Sequence, residues 1–212
     1  MSLWSCTLDS FCEQVASVAA VPSCGATACV TASLALALLQ MAIRKSCDQE
    51  VGNTALGIAA EVERLLDVMK AHADNDMRTF GAFTENAAAG SSRPSRQYAL
   101  DITLGSLAAA RSCYEGIALA QSAISKVKRT LQCDVVSSAL MMHASLSALL
   151  INVETDAANF TPSTHTEELT RTRAELQSQA DELLARLRSI STMAAVSDSV
   201  ELGSLGHDAP GE

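Results

Sequence analysis

At 212 residues, with 48% hydrophobic, 18% charged and only 3% aromatic residues, the chain is long enough for one core-forming domain, and ten glycines with four prolines are too few for a turn-rich β architecture. The expected fold class is all-α, a single-domain bundle of about six helices. Lys+Arg 15 against Asp+Glu 24 gives a net charge of −9. That balance lacks the basic footprint of a nucleic-acid binder and would be repelled by an anionic membrane surface. Seven cysteines, odd in number and without a CxxC pair, fit neither a disulfide framework nor a zinc site, so reduced thiols in a cytoplasm and no metal are expected.

A short first helix is expected over residues 8–20, entered through Thr7 as its cap, then a turn at residues 22–25 and a long second helix to about Ser46. Residues 14–43 and 135–153 carry no Asp, Glu, Lys or Arg, which is long enough to raise a membrane reading. Pro22 and Gly25 interrupt the first run, and Asp9 and Glu13 precede it where a leader would carry bases. Two central helices of a bundle explain both runs better.

The third helix is expected over residues 51–88. Val62, Leu65, Met69, Ala73, Phe80 and Phe83 fall on one face of it, and Asp76 lies in the middle of that stripe. A core-facing carboxylate must be paired, or its pKa must rise until it becomes a proton donor. His72 stands one turn earlier, at the stripe's edge. Gly90, Ser91, Ser92 and Pro94 break the helix, and a fourth runs to about Arg129.

The fifth helix is expected over residues 134–158. Wound at 3.6 residues per turn, its Asp134, Ser138, Ser145, Asn152 and Asp156 fall within about 60° of one another, a polar stripe on an apolar helix. The serines suit bonds back to their own helix, and the two aspartates and Asn152 suit a polar cavity. His143 projects away from that stripe. Thr164 and Glu167 form a capping box for helix six, whose Leu169, Leu176, Leu183 and Ile190 recur every seven residues with Arg173, Ala180 and Leu187 between them. Glu167 with Arg171 and Glu182 with Arg186 are spaced as favourable pairs. The domain is expected to span residues 1–192, with an acidic, disordered tail at 193–212.

Pro22-Ser23-Cys24-Gly25 could turn backbone N–H groups toward an anion or form a tight turn. The absence of GxGxxG, Walker A, HExxH and GxSxG motifs argues against several nucleotide, zinc and serine-hydrolase mechanisms.

The order of features resembles the cyclodeaminase/cyclohydrolase family over about residues 8–160. The resemblance rests on Val21-Pro22-Ser23-Cys24-Gly25-Ala26-Thr27-Ala28, on Asp76-Met77-Arg78-Thr79-Phe80, and on Cys133-Asp134 through Ile151-Asn152-Val153. It implies an all-α bundle, commonly a homodimer, with a cleft where a five-membered C–N ring is opened or closed through an amidinium-like cation. It implies catalytic roles for Asp76 and Asp134 and substrate contacts from Ser23, Cys24, Gly25, Ser138, Asn152 and Asp156. The glycine run of the family is reduced here to Gly25, Arg78 stands where an acid is usual, and its lysine-rich segment reads Ser46-Cys47-Asp48-Gln49-Glu50. The expected function is therefore acid/base ring opening or closing on a small molecule without a cofactor, a specialised metabolite in place of polyglutamylated folate. Methenyltetrahydrofolate cyclohydrolase or formiminotetrahydrofolate cyclodeaminase activity, with folate as substrate, and a non-catalytic scaffold are the alternatives.

Overall fold

A computed structural model of the chain describes residues 2–46, 53–88, 96–158, 160 and 164–204. Six α-helices follow one another: α1 (Leu8–Ala16), α2 (Cys24–Ser46), α3 (Asn53–Ala88), α4 (Arg96–Ala123), α5 (Gln132–Ala158) and α6 (Thr164–Ser204), with no strand among the described residues. Helices α2 to α5 form an up-down-up-down ring in which each packs on the next and α5 closes back onto α2, while α6 lies against α5 and α4. Both α2 and the stretch through α5 are long and apolar enough to cross a membrane. In this chain they pack against each other within the bundle, and residues of both belong to its core.

The helix ends have local causes. The Thr7 hydroxyl caps α1 by accepting from Ser10 N at 3.1 Å. α1 stops at Ala16, short of the expected residue 20, because the Ser17 hydroxyl donates back to the Gln14 carbonyl and then accepts from Ala19 N. Likewise α4 ends at Ala123 and not near Arg129: the Gln132 side chain donates to the Ile124 carbonyl at 3.1 Å, and a 3-10 turn over Arg129–Leu131 leads into α5. The breaker at residues 90–95, Pro162, and the capping-box side chain of Thr164 lie outside the described residues. α6 continues past residue 193, where the tail was expected to begin, to Ser204.

The core follows from small residues on α2. Ala32, Ala35 and Ala42 are wholly buried, so neighbouring helices approach closely, and Leu36 and Leu39 fill the space between them. Gly116 on α4 serves the same approach from the other side: a Cβ there would collide with Met142 Sδ and lie 3.3 Å from Leu36 Cδ2. On α3 the expected stripe is present, with Val62, Leu65, Met69 and Ala73 wholly buried and the rings of Phe80 and Phe83 paired at 6.2 Å. On α6 the buried set is Leu169, Leu176, Ala180, Leu184 and Leu187, while Ile190 is exposed. The expected seven-residue repeat therefore slips from Leu183 to Leu184, as a straight helix of 3.6 residues per turn requires. Arg173 leaves that stripe to pair with Glu154 of α5 at 2.5 Å, and Arg186 pairs with Glu182, whereas Arg171 meets Glu175 in place of the expected Glu167.

Candidate active site

Asp76 interrupts an otherwise apolar stripe because it faces the start of α2. Its Oδ2 accepts from the Ser23 hydroxyl at 2.6 Å and from Ala26 N at 2.9 Å. The carboxylate of one helix thus caps the N-terminus of another, where free N–H groups and the helix dipole favour negative charge. The anion that the 22–25 turn could bind is supplied by the chain itself. Gly25 is required by this contact, since a Cβ there would collide with Oδ1 and lie 2.7 Å from Cγ of Asp76.

Gly25→Ala should push the carboxylate off Ala26 N–H. The overpacking is expected to cost about 1–3 kcal/mol of stability. Thermal melting of the variant checks this, and a variant that melts with wild type would show that the carboxylate is not held against Gly25.

No Lys or Arg pairs with Asp76 among the described residues, so a structural ion pair does not explain it. Burial pushes its carboxyl above the ordinary aspartate value, and the Ser23 and Ala26 hydrogen bonds pull part of the way back. A second carboxyl, Asp156 near the end of α5, accepts from the Thr103 hydroxyl of α4 at 3.2 Å. It too is pushed up, first by burial and then, against the pull of the Thr103 bond, by the Asp76 charge. Beneath Asp76 the Cys29 thiol is pushed up to about 12 by burial and by the same charge, so it stays a protonated, inert thiol. His72 is held toward its neutral form by burial and faces Ser112 across 3.4 Å.

Of these groups Cys29, His72 and Asp76 line a pocket between α2, α3 and α4, backed by Leu149 of α5. Its volume is about 10 Å³, room for about one water-sized molecule. Cys29, Ser106, Ala109 and Leu149 form a buried floor, and Asn75, Thr79 and Asp101 form the rim, with Asp101 exposed. The lining contains neither Lys nor Arg. On the other side of Ser23 lies an open groove of about 450 Å³, bordered by Val15, Cys24, Thr27, Thr31, Ser145 and Ala148. Ser23 joins the two, bonding Asp76 on one side and lining the groove on the other.

The residues expected from sequence are only partly brought together. Ser23, Gly25 and Asp76 converge, and Asp156 lies near enough to feel the Asp76 charge. Cys24 is exposed at the groove, and Asn152 is partly buried one turn before Asp156. Asp134 does not reach the pocket: it lies on the first turn of α5, about 33 Å along the helix from Asp156 at 1.5 Å per residue. Ser138, near the same end, bonds its own helix at Val135, as Ser145 does at Met141. His143 stays out of the site and meets Asp181 of α6 at 2.6 Å. Sequence reasoning did not find Asn75, Asp101, Thr103 or Ser106. The signal was the small and polar face of α4, where Asp101, Gly105 and Ala109 stand four residues apart.

The family model for formiminotransferase-cyclodeaminase matches residues 7–175, a span that contains every residue of this pocket. The fold is similar to that of the formiminotetrahydrofolate cyclodeaminase of Thermotoga maritima, with a TM-score of 0.82 at 17% identity, covering 91% of this chain and 98% of that one. No curated relative matches the chain.

Proposed function

The chain belongs to the formiminotransferase-cyclodeaminase family, and on that premise we propose that it is an acid/base enzyme that adds water or expels ammonia at a C–N centre of a small cationic molecule. Asp76 is the group that transfers the proton and stabilises the cation. The observation that carries this reading is a partly buried carboxyl held by two neutral donors, with its pKa raised and its charge felt by a second carboxyl, Asp156. Such an environment eases protonation of a carboxyl, as proton transfer requires. An Asp76 carboxylate held only by neutral donors favours a substrate that arrives positively charged. The Asp76→Asn variant, argued in the Discussion, tests the reading.

Charge bears on substrate choice as well. Formiminotetrahydrofolate, on which the structurally similar Thermotoga protein is named as acting, is the first compound to assay. A polyglutamate tail brings further negative charges to a chain whose own net charge is −9, so polyglutamylation should not improve kcat/KM. Steady-state assays with mono- and polyglutamylated forms decide it. A gain of tenfold or more, about 1.4 kcal/mol of added binding, would overturn the expectation. A cytoplasmic setting and a homodimer belong to this reading. The six cysteines among the described residues are all free thiols, and Leu34 of α2 with Leu140 and Ile151 of α5 stand exposed where a second copy would cover them.

A further inference from the structure

Six serines are buried on helices among the described residues, and five have visible partners. Ser33, Ser46 and Ser145 donate to the carbonyl four residues back, Ser138 to the carbonyl three back, and Ser112 faces His72. Ser106 of α4 is the exception: 4% exposed, its Oγ has no hydrogen-bond partner among the described residues. A buried hydroxyl left unpaired costs about 1–3 kcal/mol, and a back-bond to its own helix is the easy remedy. Ser106 forgoes that remedy on the floor of the pocket that also contains Asp76, Asn75 and Asp101. The neighbouring small residues Gly105 and Ala109 leave the space free, and the pocket's volume of about 10 Å³ is close to the minimum for a single water.

We propose that this pocket is a binding site for one water molecule, positioned by Ser106 Oγ against the Asp76 carboxyl, and that this water is the one consumed when the reaction runs as a hydration. The site rests on the orphaned hydroxyl and the pocket, and only the role of the water rests on the acid/base reading above. In the hydration direction the water oxygen bonds to the carbon of a C=N⁺ cation. The C=N electron pair moves to nitrogen, which becomes neutral, and the water proton passes to the Asp76 carboxylate. One positive and one negative charge disappear together. Ser106 is a positioning residue: it touches the water and not the reacting carbon.

The titratable groups that share the Asp76 pocket or interact with its charge are Cys29 from α2, His72 from α3, Asp101 from α4 and Asp156 from α5, and the guanidinium of Arg78 stands at the rim, bonded to Asn75 at 2.6 Å. A water that donates to the charged carboxylate has a measurable effect on its titration. Ser106→Val puts methyl groups where the hydroxyl and water meet. Oxygen-17 water relaxation dispersion on the full chain should count one fewer long-lived water in this variant, and the Asp76 midpoint, followed by carboxyl-carbon NMR, should rise because the charged form has lost a donor. Both changes are required, and the absence of either overturns the assignment. Ser106→Ala cannot overpack the site and decides the matter if the valine variant fails to fold: its Asp76 midpoint should also rise, and an unmoved midpoint overturns the proposal. Asp76→Asn turnover reads the acid/base role separately, so loss of that role would leave the wild-type water count unchanged.

Discussion

Asp76→Asn is expected to lower turnover by about 100-fold or more, the usual scale for a lost proton-transfer group, while the melting temperature stays level or rises. The substitution is nearly isosteric, and both hydrogen bonds to Asp76 fall on one oxygen, Oδ2. The asparagine carbonyl can accept both, so the shape at the head of α2 survives and only the ionisable proton is lost. A structural ion pair would behave differently, because removing one partner strands the other and costs about 3–5 kcal/mol. Asp76 has neutral partners, so no charge is stranded. The pH dependence gives a further check. The folded-state pKa is raised, so the native state binds more protons than the unfolded chain between the ordinary value of about 3.9 and the raised value. Stability attributable to Asp76 is therefore highest at low pH and falls as pH rises through that window. The variant should gain on wild type over the same interval. Full turnover with a sharply lowered melting temperature would remove Asp76 from the chemistry.

Leu39→Ala should cost about 2–5 kcal/mol, which for a chain of this size lowers the melting temperature by roughly 5–20 °C. Leu39 is wholly buried on α2, the helix that touches both α3 and α5, and its neighbours Ala35 and Ala42 are wholly buried too. Short side chains have little reach with which to refill a hole, so much of the cavity should persist. Thermal melting of the variant measures the effect. A cost below about 1 kcal/mol would contradict the close packing of α2 described above.

The fold was legible because its signals are local and periodic. The uncharged runs marked α2 and α5 as central, the α3 stripe predicted four wholly buried residues, and Asp76 stood out as the one charge within it. The site was only half legible, for two physical reasons. A helical projection gives the angle around the axis and discards the distance along it, so Asp134 and Asp156 seemed to share a cavity although α5 holds them about 33 Å apart. Burial, moreover, is a property of packing partners. Ser106 carries no sequence mark that separates it from Ser138 or Ser145, which bond to their own helix, until α2, α3 and α5 are placed around it. The order of motifs did carry the family assignment, since it survives even where single positions such as Arg78 depart.

The central claim, that Asp76 is a partly buried carboxyl poised to exchange a proton, is tested most directly by titrating it. Carboxyl-carbon NMR across pH on the full chain, with the resonance assigned by its loss in Asp76→Asn, gives the midpoint without a substrate. The structure predicts a midpoint above the ordinary aspartate value of about 3.9. A midpoint at or below that value would mean that the helix-capping bonds outweigh burial, leaving Asp76 a fully charged structural cap and contradicting the acid/base account.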